Sequence, residues 1–201
     1  MIFVRRFTTA NNDPYHGVTF VVRTTSPTQG NRTVTVPEGW SQTAVDILGG
    51  KYMRRAGVPA RARLVPEDGV PKWLWRREPD NSGGAADPCP MGGETDARQT
   101  FDRLAGFWTY HGWKLGYFGA DESAARIFYD ELRYMLVRQM AAPASPQWFN
   151  AGLHWAYGVS GDNQGQWAID LTGHTDAAGA SWGKLETVVP SPNPYERPAL
   201  S

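Results

Sequence analysis

A chain of 201 residues is long enough for one domain, or for one domain with an appended arm, and for the burial of a real core. Lys plus Arg and Asp plus Glu stand at 20 each, and the formal net charge of +0 excludes a whole-chain field that would draw in nucleic acid or an anionic membrane. One cysteine, Cys89, excludes an internal disulfide; with no secretory h-region and no apolar run of membrane-spanning length, a cytoplasmic protein with no glycan on Asn31 is expected.

In chain order, the first elements are β. Runs at 18–23 and 32–36 are rich in β-branched residues, and the cluster from Ser26 to Asn31 between them reads as the loose loop of a hairpin. Pro37 closes the second run. Ser41 is placed to cap a helix with Ala44, Val45, Leu48 and Tyr52 on one face, stopped by Gly57 and Pro59. Gly49 and Gly50 each cost that helix about 1 kcal/mol relative to Ala, so a kink or a dependence on packing is expected there. Residues 1–60 form this first unit. Residues 61–94 read as a Pro/Gly-rich connector with one ordered patch, Trp73-Leu74-Trp75, whose apolar area should dock on a helix.

Residues 95–157 read as a helical unit. A second helix opens at Thr95 and sets Phe101, Leu104, Ala105 and Trp108 on one stripe. Asp121 caps a third over residues 122–142, with Phe128, Leu132, Met135, Leu136 and Met140 on its apolar stripe and Arg126, Asp130, Arg133 and Arg138 largely opposite. Pro143 is its expected stop. Residues 158–201 then look like a hairpin-like extension, with short runs at 166–170 and 185–189. The fold class is α+β, a mainly helical N-terminal domain with a β-hairpin. Nine Trp, eight Tyr and eight Phe, many in pairs such as Trp148/Phe149, imply an apolar face toward further structure if the chain is part of something larger.

The most specific stretch is Ser145-Pro146-Gln147-Trp148-Phe149-Asn150-Ala151-Gly152-Leu153-His154-Trp155-Ala156-Tyr157-Gly158. Ahead of it, in order, stand Trp40-Ser41-Gln42, Gly69-Val70-Pro71 with Trp73-Leu74-Trp75-Arg76, Gly93-Glu94-Thr95, Phe101-Asp102-Arg103-Leu104-Ala105-Gly106 and the block from Phe128 to Leu136. Together these pieces resemble the N-terminal region of class II ribonucleotide reductases, the adenosylcobalamin (vitamin B12) dependent enzymes, of the bacterial and phage type without an ATP-cone. The resemblance implies reduction of a ribonucleotide, most simply a diphosphate, by a thiyl radical formed when the cofactor's cobalt–carbon bond breaks, in an enzyme with a ten-stranded α/β barrel and a homodimeric habit. It also implies that Ser145, heading the Ser-Pro element, binds substrate.

In the family the chain runs from a Tyr-Glu-x-Pro step into His-Ala-Cys-Phe, whereas here Tyr195-Glu196-Arg197-Pro198 is followed by Ala199-Leu200-Ser201. The expectation is therefore a chain that stops before the first redox cysteine through a split gene, an intein or intron, a frameshift or a domain-only polypeptide. The barrel, the reactive cysteines and most of the cobalamin surface would then lie on the remainder of the reductase, in cis or on a second polypeptide, and this chain alone would be inactive.

Each candidate has a plainer reading beside it. Pro146 fixes the backbone behind Ser145, so one hydroxyl and a neighbouring N–H can meet a phosphate or sugar oxygen at small ordering cost; without the resemblance, Ser145 is a turn residue. Asn150 reads as a buried Asn tied to local backbone, and Cys89, flanked by prolines, as an incidental surface thiol. Glu94, Glu122, Asp130 and Glu131 fall where caps and solvent faces account for them, and His16, His111, His154 and His174 lack metal-ligand spacing. No catalytic, cofactor-binding or metal residue is named, and Gly158-Val159-Ser160-Gly161 lacks the Lys of a phosphate loop. The rival reading is a stand-alone interaction module, or a remnant, binding protein or single-stranded nucleic acid through its aromatics; neutral charge and the lack of Lys/Arg clusters near the Trp pairs argue against it.

Overall fold

The alternation of β-branched residues produces the expected hairpin. In the computed structural model, which describes residues 3–160 and two short later strands, β1 (Phe20–Thr24) pairs antiparallel with β2 (Thr33–Pro37) in the register Val22↔Thr35. Val34 and Val36 face inward and are fully buried, while Val22 stays 69% exposed on the other face. Gly30, in the left-handed conformation at φ 96°, closes the turn between the strands.

Ser41 caps α1 (Gln42–Ile47) by accepting from the Ala44 N–H. The two glycines do break the helix. Over Leu48–Tyr52 it widens to a π turn, because a Cβ on Gly49 would lie 2.7 Å from Thr25 Cγ2 and one on Gly50 2.7 Å from Gln29 Cβ. The helix end is thus pressed against the hairpin turn, and the Arg32 guanidinium ties the two by donating to the carbonyls of Gly49 and Glu94.

Residues 61–94 are more ordered than expected. β3 (Val58–Pro59) pairs with β6 (Met91–Gly92), and β4 (Ala62–Leu64) with β5 (Arg77–Pro79), both antiparallel. The Trp patch docks as anticipated: Leu74 is fully buried, and Arg126 of the third helix lies 3.6 Å over the Trp73 ring.

α2 (Ala97–Lys114) starts two residues beyond Thr95, because Asp96 and Gln99 form a reciprocal capping box that fixes the first turn. It is the axis of the fold, burying Phe101, Leu104 and Phe107 against the hairpin, α1 and the signature segment. α3 (Glu122–Val137) stops five residues short of the expected end. Gln139 takes a left-handed φ of 57°, and the Gln139 and Met140 N–H groups return to the Leu136 and Met135 carbonyls, closing the helix well before Pro143. Met140 is consequently 52% exposed and leaves the apolar stripe.

The polar face of α3 is also less solvated than expected. Arg133 donates to Asp102 at 2.6 Å and lies over the Tyr15 ring, while Asp130 and Glu131 hold the N-terminal arm by accepting from Arg5 and from the Phe7 and Thr8 N–H groups. Beyond the signature, β7 (Trp167–Ile169) and β8 (Val188–Pro190) pair antiparallel. Tyr195 to Pro198 and His174 lie outside the described residues, among which there is no closed barrel. Nor, among them, is any helix long and apolar enough to cross a membrane.

Candidate functional site

The signature segment folds as two short helices, α4 (Ser145–Asn150) and α5 (Leu153–Tyr157), joined at Ala151-Gly152. Pro146 occupies the first turn of α4, where its missing N–H has no partner to lose. Trp148, Leu153, Trp155 and Ala156 point into the core, whereas Ser145, Pro146, Phe149 and Asn150 are exposed. The expectation of a buried Asn150 therefore fails: the inward side of this short helix is filled by Trp148. Two glycines permit the close docking on α2. Gly106 leaves room for the Trp155 ring, which a Cβ there would meet at 2.1 Å, and Gly152, at φ +79°, packs against the Arg103 carbonyl.

Beneath this segment lies a buried charge pair, one member of which, Glu94, is expected from sequence at a helix start or on a solvent face. Glu94 and Arg103 are both fully buried, with Arg103 Nε donating to Glu94 Oε1 at 2.8 Å. The rest of the guanidinium reaches into the signature, Nη1 donating to the Ala151 carbonyl at 2.5 Å and Nη2 to the Trp148 carbonyl at 3.1 Å. Glu94 also accepts from the Arg54 N–H, Thr100 Oγ1 and Tyr157 Oη. Burial alone would raise the Glu94 carboxyl, but the charge of Arg103 and these hydrogen bonds outweigh it and hold the group below its ordinary value. Tyr157 moves the other way: burial, then the neighbouring Glu94 charge, push its phenol up, so it remains a donor. A legible trace of this clamp was available in Arg103 itself, a cation in step with Thr100 and Phe107 on the buried face of α2.

Above the clamp, the Ser145 hydroxyl lies 2.9 Å from Tyr52 Oη, in an exposed pair. The Tyr52 ring stacks on Trp148 with centroids 5.3 Å apart and planes 2° from parallel, and meets Phe149 edge-on. An apolar groove of about 280 Å³ adjoins them, lined by Trp40, Ile47, Leu48 and Leu136 among others. The ledge thus offers two hydroxyls and exposed aromatic surface on a rigid base. The lining of the groove contains no carboxylate, imidazole, amine or thiol.

The remaining candidates lie elsewhere. Cys89 is buried, not a surface thiol; its sulfur donates to the Arg61 carbonyl at 3.1 Å and its N–H is held by Asn81, a structural role under the small sheets. His111 and His154 line a cavity of about 520 Å³ with Glu67, Arg76, Tyr110 and Lys114, where Lys114 Nζ and Tyr110 Oη both donate to Glu67. Among the described residues no group of three or more metal-ligating side chains converges. That cavity is of the size that suits a drug-sized ligand.

Comparison with known proteins identifies relatives of the chain. A family model described as class II vitamin B12-dependent ribonucleotide reductase matches residues 24–139. The chain is similar to the vitamin B12-dependent ribonucleotide reductase of Bradyrhizobium diazoefficiens, 50% identical over 175 residues, covering 83% of this chain and 14% of that protein. A match covering 83% of 201 residues necessarily takes in positions 145–158, beyond the end of the family model. The enzymes of the same name from Agrobacterium fabrum and Rhodopirellula baltica are 52% identical over 139 residues and 31% identical over 165, covering 68% and 81% of this chain and 11% of each relative. The chain thus spans only 11% to 14% of the length of these three relatives.

Proposed function

Since this chain belongs to the class II vitamin B12-dependent ribonucleotide reductases, we propose that it serves as the N-terminal part of such an enzyme and presents the Ser145 hydroxyl to a ribonucleotide substrate. The observation that carries this reading is the exposure of Ser145 at the head of a segment whose backbone is gripped from below by a buried Arg103. A surface loop fastened in this way keeps one hydroxyl in place without ordering it on each binding event, so little binding energy is lost to entropy.

Radical reduction by this family's route requires a thiyl cysteine and a dithiol, and the sequence contains one cysteine, buried in a structural position. The chemistry then belongs to the remainder of the reductase, joined in cis or carried on a second polypeptide, which also supplies the adenosylcobalamin surface. Ribonucleoside diphosphates are the proposed substrates, the cytoplasm the proposed location, and a homodimer the proposed state of the complete enzyme.

In the cobalamin-loaded reductase that contains this chain, Ser145→Ala should lower kcat/KM for the ribonucleotide by roughly ten- to a hundredfold, the loss expected for one hydrogen bond to a charged oxygen. Steady-state kinetics over a range of ribonucleoside diphosphate concentrations measure it, and an unchanged kcat/KM would rule out the contact.

A further inference from the structure

We infer that Tyr52 is a positioning residue for the Ser145 hydroxyl, donating its phenolic proton to Ser145 Oγ and so turning the serine's own proton outward toward a substrate oxyanion; the inference rests on the proposed substrate role of Ser145. A hydroxyl carries one proton and two acceptor sites, so of two hydroxyls 2.9 Å apart only one donates to the other. The phenol is the more acidic of the two and the better donor. With Tyr52 donating, one of the two acceptor sites of Ser145 Oγ is occupied and its O–H is left free for an oxygen of the ligand. That direction keeps the O–H available for an acceptor on the ligand, such as a phosphate or sugar oxygen. A hydrogen bond received by Oγ also polarises its O–H and strengthens the next bond in the chain.

The setting supports a positioning role. The Tyr52 ring is fixed by parallel stacking on Trp148, the inward anchor of the same helix that carries Ser145, so both oxygens share one rigid base. Its backbone ends the π turn that Gly49 and Gly50 create, and that turn is held by Arg32 on the Gly49 carbonyl and Arg55 on the Gly50 carbonyl. The π turn that follows α1 therefore brings its last side chain to a segment 93 residues later in the chain.

The test is a double-mutant cycle of Tyr52→Phe and Ser145→Ala in the cobalamin-loaded reductase containing this chain, with KM and kcat for a ribonucleoside diphosphate and the melting temperature of each variant. Tyr52→Phe keeps the stacked ring and removes only the hydroxyl, so the melting temperature should hold while KM rises about three- to tenfold and kcat stays within about twofold. In the Ser145→Ala background the same change should be silent. A silent Tyr52→Phe beside a damaging Ser145→Ala would overturn the relay and leave the substrate contact standing, whereas silence in both would overturn the substrate contact as well. An equal effect of Tyr52→Phe in both backgrounds would show that Tyr52 acts independently of Ser145, and would also overturn the inference.

Discussion

Arg103→Met is expected to lower the unfolding free energy by about 3–5 kcal/mol, the range for removing one partner of a buried ion pair. Arg103 is fully buried and satisfies Glu94 together with the carbonyls of Ala151 and Trp148; methionine fills much of the volume but leaves a carboxylate and two carbonyls without their donor. Denaturant titration of the 201-residue chain should show a lower midpoint with an unchanged slope. Removing both charges in Glu94→Gln with Arg103→Met should recover part of the loss, because no buried ion is then left alone.

The pH dependence of this clamp has a definite sign. Glu94 is held below its ordinary 4.5, so in the unaltered chain its contribution is complete above about pH 4.5 and is lost as pH falls from there through the lower folded value. In Arg103→Met the charge that opposed burial is gone, and burial pushes the carboxyl up against only the remaining hydrogen bonds from Arg54, Thr100 and Tyr157. The deficit should then be largest near neutral pH and shrink on acidification as Glu94 takes up a proton. A deficit under about 1 kcal/mol at pH 7 would show that the pair is not the support described here.

Gly152→Ala should cost about 2–4 kcal/mol, from a left-handed backbone that a Cβ disfavours and from overpacking against a helix backbone. The added carbon would lie 2.4 Å from the Arg103 carbonyl oxygen and 2.7 Å from Arg103 Cγ, at φ +79°. Neither neighbour yields easily, since the first is α2 backbone and the second belongs to the clamped side chain. The chain escapes only by lifting the joint between α4 and α5, which displaces the carbonyls that Arg103 holds and with them Ser145. Thermal unfolding measures the cost, and near-UV circular dichroism of Trp148 and Trp155 should change with it. A stable variant with native aromatic signals would contradict the close docking.

These residues show which parts of the structure local sequence carries. The hairpin, α1 with its break at Gly49-Gly50, and the α2 stripe follow from periodicity and from the cost of glycine, which act within a few residues. Boundaries moved where caps decided them: the Asp96/Gln99 box delays α2, and Gln139 in a left-handed conformation ends α3 before Pro143. Long-range pairing was not legible. Glu94 looks like a helix-start carboxylate until α2 carries Arg103 back over it and Tyr157 arrives from 63 residues later. Cys89 and Asn150 were misplaced for the same reason, since burial depends on what folds over a residue. The signature was recognisable by composition alone, yet its grip by Arg103 and its hydroxyl neighbour Tyr52 exist only in three dimensions.

The most direct test is deoxynucleotide formation from a ribonucleoside diphosphate in the presence of adenosylcobalamin and a dithiol, measured for the purified 201-residue chain, for the remainder of the reductase lacking this segment, and for the two together. Turnover only when both are present is the expected result. Turnover by this chain alone, or full turnover by the remainder without it, would contradict the account.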